Sequence, residues 1–247
     1  MKLTVIGSGD AFGSGARFQT SFHIASATKT LLVDCGATTL VGLAREGLNP
    51  NDIETIIITH LHGDHFAGLI FFILQARHPG KRLAPLEIIG PPGIEDRVLQ
   101  TSELLFPGST VKAPKFDLTF REFDTQSQVV SGNARLQAYE VSHPSGSLSA
   151  ALRLELDNRT IAFSGDTEWV DGLIDCARDA DLFLCECYSA GEGARYHLNW
   201  PTLIQHFDKI TASRIVITHM SNSMLDARHG LSHPRVTFAH DRLAFDL

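Results

Sequence analysis

The sequence predicts an α/β protein in which two β-sheets pack face to face with helices on both outer surfaces, a four-layer αββα sandwich. Short apolar runs alternate with helical patterns over all 247 residues, and no linker or low-complexity stretch divides the chain. A strand with an Asp at its end (residues 31–36, and again 161–166) precedes a buried strand that ends in Thr-His (His60, and again His219). This repeated pattern predicts two related halves within one domain spanning residues 1–247.

The first half alternates β-branched strands with helices. Apolar runs bounded by glycine-rich turns predict strands at residues 3–6, 22–25, 30–33, 53–59 and 86–89. Apolar residues at helical spacing predict helices at residues 38–45, 66–76 and 95–105. Thr38 or Thr39 can cap the first helix and Gly47 ends it. The second helix ends before Pro79, because the residue that precedes a proline disfavours the helical conformation.

The second half begins with weak signals and then becomes rich in strands. Residues 107–132 predict strands joined by exposed turns. Further strands are predicted at residues 136–141, 149–156, 160–164, 182–187 and 214–218. Helices are predicted at residues 170–177 and from Pro201 onwards. Polar residues that follow the strands are expected to gather at one edge of the sheets, where such folds place their sites.

Composition excludes several classes of protein. The chain has 21 Lys and Arg against 28 Asp and Glu, so its net charge of −7 argues against a general nucleic-acid binder, which needs a surplus of basic residues. The four cysteines form no CxxC pair and indicate a reducing compartment. The N-terminal residues lack a signal-peptide core, and the longest apolar stretch is half the length that spans a bilayer. We therefore expect a cytoplasmic protein without a membrane partner.

The strongest motif follows a buried strand of the first half. The segment His60-Leu-His62-Gly-Asp64-His65 places four metal-binding side chains within six residues. His60 and His62, two apart in an extended segment, can point the same way, and Gly63 permits the turn that brings Asp64 and His65 round. Imidazole nitrogens and carboxylates suit zinc, manganese or iron. The alternative is a solvated histidine-rich turn.

This motif is the HxHxDH signature of the metallo-β-lactamase superfamily, which the sequence resembles over nearly its whole length. His143 in Ser-His-Pro, Asp166 in Ser-Gly-Asp-Thr and His219 in Ile-Thr-His-Met resemble that family's later metal-binding residues. The resemblance implies a metallo-β-lactamase fold that holds two divalent ions, zinc or manganese, with iron as an alternative. It implies that one ion is bound by His60, His62 and His143. The other ion is bound by Asp64, His65 and His219, and the Asp166 carboxylate bridges the two ions.

Further features favour one branch of the superfamily. Asp166 stands where true β-lactamases of this fold carry Cys or His. Only 28 residues (247 − 219) follow His219, too few for the glutathione-binding region of glyoxalase II-like enzymes, which are therefore not expected. The glycine-rich turn at residues 7–15 resembles that of the ribonuclease Z-like branch, and Glu186 and His197 resemble its additional Glu and His. Leu-Asn-Trp replaces the small hydroxyl residues that usually follow that histidine.

Ribonuclease Z itself usually inserts a basic tRNA-gripping arm between its third and fourth motifs. Here only 23 positions (166 − 143) separate His143 from Asp166, and the chain is acidic. The sequence therefore resembles the compact phosphodiesterases of the branch, including the cyclic-phosphate hydrolase of phosphonate breakdown. We expect a small or cyclic phosphodiester as substrate and no stable nucleic-acid complex. Dimers are common in the branch, so the resemblance leaves a homodimer open. No apolar stripe in the sequence predicts one.

The resemblance implies catalytic roles for three residues: Asp64 orients the attacking hydroxide, and His197, held by Glu186, either protonates the leaving group or binds a phosphate oxygen. The alternatives are hydrolysis of a lactone, thioester or sulfate ester, a tRNA 3′ endonuclease, and a non-catalytic sensor. Asp34 either supports a metal-binding histidine or caps a strand. Arg17 and the glycine-rich turn either meet a phosphate or form an ordinary hairpin. The remaining histidines are expected to be structural or exposed: His23, His78, His206, His229, His233 and His240.

Overall fold

Fourteen strands form two mixed sheets in the computed structural model, which describes residues 1–247. The first sheet has the strand order β14-β1-β2-β3-β4-β5-β6. Its strands are β1 (Lys2–Gly7), β2 (Ser21–Ala25), β3 (Thr30–Val33), β4 (Thr55–Ile57), β5 (Leu86–Gly90), β6 (Leu118–Glu122) and β14 (Ala244–Asp246). Pairing is antiparallel from β14 to β3 and parallel from β3 to β6. Turns join the antiparallel strands, whereas parallel strands need longer crossovers.

The second sheet has the order β13-β12-β11-β10-β9-β8-β7. Its strands are β7 (Val129–Ser131), β8 (Ala134–Glu140), β9 (Ala150–Leu156), β10 (Arg159–Phe163), β11 (Leu182–Glu186), β12 (Ile215–Thr218) and β13 (Val236–Phe238). Pairing is antiparallel from β7 to β10 and parallel from β10 to β13. Both sheets therefore pass from antiparallel to parallel pairing along the chain, which is the structural counterpart of the repeated sequence pattern.

Seven helices cover the outer faces of the two sheets. They are α1 (Thr39–Arg45), α2 (Gly63–Phe66), α3 (Gly68–Arg77), α4 (Ile94–Leu105), α5 (Gly172–Cys176), α6 (Trp200–His206) and α7 (Asn222–Ala227). The Asn199 side chain accepts a hydrogen bond from Thr202 N and caps α6, and the Ser221 hydroxyl does the same for Met224 N at α7. These caps satisfy backbone groups that a helix start leaves unpaired.

The apolar core has three layers, one between the sheets and one under each set of helices. Between the sheets, Phe22 and Phe163 pack with ring centroids 5.7 Å apart. Phe72 of α3 is fully buried on one outer face, and Leu203 of α6 is fully buried on the other. Each such side chain contributes about 1.5–3 kcal/mol when it leaves water. The order of helix, sheet, sheet and helix confirms the predicted αββα sandwich.

Most predicted elements are present within two residues of their expected ends, with a few differences. The predicted strand at 53–59 pairs as β4 only over Thr55–Ile57, and the chain then continues as an extended loop. The predicted helix at 66–76 is preceded by the separate turn α2 and begins at Gly68. The short elements α7, β13 and β14 were not predicted, because three to six residues carry little periodic signal. β13 joins the second sheet and β14 the first, so the C-terminal segment connects both.

All four cysteines are free and buried. No helix combines the length and the apolar character that a membrane crossing needs.

Candidate metal centre

The seven predicted metal-binding residues lie together at one end of the sandwich, just beyond strand ends. His60 and His62 follow β4, and Asp64 and His65 lie in α2. The second half contributes residues that follow β8, β10 and β12, namely His143, Asp166 and His219. Carboxyl ends of parallel strands share one edge of a sheet, and in this fold those edges meet. The structure brings all seven side chains together; that they bind metal stays a prediction.

Three histidines form the first group. The metal-binding nitrogens of His60, His62 and His143 lie within 4.8 Å of one another. His143 Nε2 is 2.9 Å from His62 Nδ1. The ring of His60 lies nearly perpendicular to both other rings, with centroids 4.9 Å apart. This group offers three nitrogen ligands, as many as a zinc site with an open position uses.

Two carboxylates and two histidines form the second group. Donor atoms of Asp64, His65, Asp166 and His219 lie within 4.8 Å of one another. Asp64 Oδ2 is 3.2 Å from His65 Nε2 and 3.4 Å from His219 Nε2. Asp166 Oδ2 is 3.3 Å from His65 Nε2 and 3.2 Å from His219 Nε2. Each carboxylate therefore faces both imidazoles.

Asp166 also adjoins the first group. Its Oδ2 atom lies 3.9 Å from His60 Nε2 and 3.9 Å from His143 Nε2. One oxygen of a buried carboxylate thus faces histidines of both groups. This is the position that a ligand shared by two ions requires.

The two groups differ in their electrostatics. Burial lowers the pKa of His60 well below its usual value, and repulsion from His65 lowers it further against the opposing charge of Asp166. Burial also disfavours charge on His219, but Asp166 and Asp64 outweigh it and raise the pKa of His219 to about 9. The same balance raises the pKa of His65. Burial would raise the pKa of Asp166, yet His219 and His65 hold it well below its usual value. Neutral imidazoles are therefore favoured at His60 and His143, whose pKa burial also lowers, whereas the second group favours ion pairs.

Asp34 orients the second group from behind. It follows β3 with a φ of 60° and is buried. Its Oδ2 accepts a hydrogen bond from His65 Nδ1 at 2.8 Å, and its Oδ1 accepts one from Thr59 N at 2.8 Å. Because His65 Nδ1–H donates its hydrogen bond to Asp34, His65 Nε2 is left facing the centre. Of the two roles predicted for Asp34, the structure shows the one in which it supports a histidine of the candidate metal centre.

The histidine-rich loop is packed closely against the end of β3. Cys35 N donates to His65 O at 2.7 Å, and Gly68 N donates to Cys35 O at 2.8 Å. A side chain at Gly36 would place its Cβ 2.0 Å from Asp64 O, so only glycine permits this approach. These backbone contacts fix the loop before any ligand binds.

Unpartnered polar atoms show that the centre suits cations. His60 Nε2 and His65 Nε2 are fully buried and have no hydrogen-bond partner. A buried polar atom without a partner costs about 1–3 kcal/mol. Three histidines are oriented by contacts of the ring nitrogen that points away from the centre. Nδ1 of His60 contacts Thr59 Oγ1, and Nδ1 of His65 contacts Asp34. Nδ1 of His143 contacts the carbonyl of Tyr196. Nitrogen and carboxylate donors held this way fit divalent metal ions.

His197 and Glu186 form a pair at the rim of this centre. His197 Nδ1 lies 3.1 Å from Glu186 Oε1, which also accepts a hydrogen bond from Thr167 N at 2.6 Å. Burial raises the pKa of Glu186. Burial would lower the pKa of His197, but the hydrogen bond and charge of Glu186 raise it. The His197 ring lies 4.9 Å from the ring of His143. Because Nδ1 of His197 is engaged by Glu186, Nε2 is the atom that can carry a transferable proton.

Three neighbouring residues were missed by sequence reasoning. The ring of Tyr188 packs 4.9 Å from that of His197. Thr167 N donates a hydrogen bond to Glu186, and the carbonyl of Tyr196 accepts one from His143 Nδ1. Thr167 and Tyr188 lie within two residues of Asp166 and Glu186, so proximity in sequence was an available signal. A backbone carbonyl such as that of Tyr196 leaves no signal in residue type.

The glycine-rich turn has a structural role. Arg17 Nη1 donates to Ala239 O at 2.7 Å and to Ser8 Oγ at 3.3 Å. Asp241 accepts hydrogen bonds from Ser8 N and Phe18 N. These contacts tie the turn to the C-terminal segment, in keeping with the hairpin interpretation. None of the six histidines that were expected to be structural or exposed belongs to a cluster of side chains that could hold a metal ion.

Comparison with known proteins places these observations in a family. The family model described as Anti-Pycsar protein Apyc1 matches residues 1–244. A ribonuclease Z from Methanothermobacter thermautotrophicus is 38% identical over 96 residues, which cover 39% of this chain and 31% of that protein. A ribonuclease Z from Bacillus cereus is 25% identical over 270 aligned positions, which cover 89% of this chain and 88% of that protein. The chain spans less than half the length of three strongly matching curated relatives, at 31%, 45% and 40%.

Solved structures share the fold over its whole extent. Human tRNase Z, short form (ELAC1), has a TM-score of 0.78 and 24% identity, with 100% of this chain and 99% of that chain covered. A diphosphatase from the PhnP family has a TM-score of 0.79 and 17% identity, with 100% and 97% covered. At these identities the likeness concerns the fold alone.

Proposed function

Because the chain belongs to the Anti-Pycsar protein Apyc1 family and is a ribonuclease Z-like hydrolase of the metallo-β-lactamase superfamily, we propose that it cleaves small or cyclic phosphodiesters at a dinuclear metal centre. The first ion would be held by His60, His62 and His143, and the second by Asp64, His65 and His219. Asp166 would serve both. Zinc and manganese suit these nitrogen and carboxylate donors, with iron as an alternative.

The observation that carries the phosphodiester assignment is the His197–Glu186 pair beside the seven-residue cluster. An alkoxide leaving group is a strong base and needs a proton as its bond to phosphorus breaks. His197 Nε2 can supply that proton, because Nδ1 is engaged by Glu186 at 3.1 Å. Activated leaving groups such as p-nitrophenolate have no such need. The pair therefore supports a reaction that expels an ordinary alcohol.

Two divalent ions, when bound, would lower the pKa of the attacking water and offset the negative charge that develops on the phosphate. The chain's own residues then have separate tasks. Asp64 accepts a hydrogen bond from the water and aims its oxygen at phosphorus. His197 transfers its Nε2 proton to the leaving oxygen, and Glu186 stabilises the imidazolium before this transfer. A P–O bond to water forms as the P–O bond to the alcohol breaks.

A tRNA 3′ endonuclease is the second candidate, because curated relatives are ribonucleases Z. Against it, β9 and β10 with their connecting turns fill the stretch between His143 and Asp166, and the net charge is −7. Tight binding of tRNA relies on neutralising phosphates with basic residues. We therefore propose that no stable nucleic-acid complex forms and that processing of precursor tRNA is negligible beside hydrolysis of small diesters.

A turnover panel with the metal-reconstituted protein tests this proposal. The substrates are bis-p-nitrophenyl phosphate, nucleoside cyclic phosphates, a lactone, a thioester and precursor tRNA. We expect metal-dependent cleavage of the diesters, which chelation abolishes and added metal restores. Preferred cleavage of the lactone or thioester would move the assignment to another bond. Efficient cleavage of precursor tRNA at physiological salt would favour the endonuclease.

A further inference from the structure

We propose that Asp241 is a positioning residue for His219, because it fixes the Ser8 carbonyl that holds the backbone of that histidine. The inference rests on the proposed function and extends the support of the centre to the C-terminal segment. Asp241 lies between β13 and β14, where the chain crosses from the second sheet to the first. It acts through two hydrogen bonds in series and is not itself a metal ligand.

His219 is held by its backbone rather than by its ring. It directly follows β12, is buried and has a φ of 54°. A residue with a Cβ rarely adopts this left-handed conformation, so surrounding contacts must maintain it. Nδ1 of His65 and Nδ1 of His143 each have a hydrogen-bond partner, but Nδ1 of His219 has none. The direction in which His219 Nε2 points therefore depends on where its backbone is placed.

The carbonyl of Ser8 makes the contact that places this backbone. Ser8 O accepts hydrogen bonds from His219 N at 3.1 Å and from Thr218 Oγ1 at 3.4 Å. Ser8 follows β1 of the first sheet and Thr218 ends β12 of the second, so these bonds join strand ends of the two sheets. A displaced Ser8 carbonyl would therefore move His219 relative to the metal-binding residues of the first half.

Asp241 fixes Ser8 at a point where the sheet does not. The pairing of β1 with β2 is irregular between Val5 and Gly7 and ends at Gly7. Asp241 Oδ1 accepts hydrogen bonds from Ser8 N at 2.9 Å and Ser8 Oγ at 2.8 Å, and its Oδ2 accepts one from Phe18 N at 2.9 Å. Hydrogen bonds to a carboxylate are stronger than those between neutral groups. Because Ser8 is fully buried, water cannot readily replace Asp241 as the partner of its N–H.

The backbone on the C-terminal side of Asp241 is anchored to the first sheet. Arg242 N donates to Val5 O at 2.8 Å, and Val5 N donates to Leu243 O at 2.8 Å. β14 then continues the antiparallel pairing with β1. Asp241 is therefore a fixed support, and its carboxylate transmits the position of the C-terminal segment to Ser8.

Zinc titration of the metal-free protein tests the positioning role, with bound zinc measured by equilibrium dialysis and elemental analysis. Residues that support metal-binding side chains typically contribute about 10–100-fold to metal affinity. D241A removes the acceptors for Ser8 and Phe18, so it should weaken one of the two zinc ions by that factor and leave the other unchanged. D241N keeps one acceptor oxygen and should have a smaller effect. D246A removes an exposed carboxylate from β14 and should bind both ions like wild-type protein.

Amide hydrogen exchange in the metal-free protein provides a readout that needs neither metal nor turnover. The His219 amide is buried and bonded to Ser8 O, so it exchanges only when this contact opens. Loss of a hydrogen bond to a charged group changes an opening equilibrium by about tenfold or more. D241A should therefore accelerate exchange at His219 by about that factor relative to the amides of β9, which report unfolding of the sheet. D246A should not.

The outcomes separate this inference from the proposed function. If wild-type protein binds fewer than two zinc ions or cleaves no diester, the proposed function fails, and exchange at His219 alone decides whether Asp241 fixes that backbone. If wild-type protein binds two ions but D241A loses affinity for both equally or for neither, the positioning role is wrong. Exchange that accelerates equally at His219 and in β9 would show a general loss of stability and would also overturn it. If D241A does not fold, D241N decides by the same comparisons.

Discussion

The two halves of the molecule use the same strand pattern to place an aspartate in opposite positions. In the first half Asp34 directly follows β3, with a φ of 60°, and lies behind His65. In the second half the left-handed residue after β10 is Gly165, with a φ of 59°, and Asp166 comes one residue later, among the histidines. Asp34 is the first residue after its strand and Asp166 is the third. This shift of two residues places Asp34 behind His65 and Asp166 among the histidines.

The second sheet also contains a strand that the first sheet lacks at the corresponding place. β3 pairs directly with β4, whereas β11 lies between β10 and β12. The last residue of β11 is Glu186, which holds His197. The first half thus supplies the histidine-rich loop and the Asp34 that supports it, and the second supplies the proposed shared carboxylate and the proposed proton donor.

Removal of the shared carboxylate should have the largest effect. D166N keeps the shape of the side chain but removes the charge that faces His60, His143, His65 and His219. We expect loss of bound metal, measured by elemental analysis, and a fall in kcat well beyond the roughly 10–100-fold typical of supporting residues. H60A, which disrupts the first group alone, should also abolish activity. Wild-type metal content and activity in D166N would contradict the bridging role.

Removal of the proton donor should have an effect that depends on the leaving group. General acid catalysis typically contributes about 10²–10⁴-fold. H197A should lose that much kcat on an alkyl or nucleoside ester and far less on a p-nitrophenyl ester, with metal content intact. Equal losses on both esters would favour binding of a phosphate oxygen instead. An unchanged kcat on both esters would show that His197 is a loop residue without a part in catalysis.

The counterpart change in the first half should be milder. D34N retains one oxygen for His65 Nδ1 or Thr59 N but cannot serve both as the carboxylate does. We expect metal affinity or activity to fall by about 10–100-fold. Excess metal should recover part of the activity, as measured by titration of the metal-free variant. If D34N lost activity as completely as D166N, Asp34 and Asp166 would not differ in role as proposed.

The smallest expected effect concerns the metal-free protein and pH. The pKa of His219 is raised from 6.5 to about 9 by Asp166 and Asp64 against the opposing effect of burial. A raised pKa stabilises the folded state fully below about pH 6.5, and this stabilisation is lost as pH rises towards 9. The Tm of metal-free protein should therefore fall over that interval, and H219Q should reduce the decline. A Tm that rises from pH 6.5 to 9 would contradict this.

Sequence and structure agree most closely where function constrains residue type. The HxHxDH loop and the strand-end positions of His143, Asp166 and His219 could be predicted, because several metal-binding side chains in one order leave a distinct pattern. The role of Asp34 could not be decided, since it depends on a 2.8 Å contact across 31 positions of sequence. The strands β13 and β14 were missed for their shortness.

We propose that two divalent ions act together on a phosphodiester at a centre to which both halves contribute. The most direct test titrates metal-free protein with zinc or manganese and follows bound metal and hydrolysis of bis-p-nitrophenyl phosphate in the same samples. We expect no hydrolysis without metal and maximal hydrolysis at two ions per chain, and we expect D166N to reach neither full metal binding nor full hydrolysis. Full hydrolysis in the metal-free protein, or two bound ions without diester cleavage, would contradict it.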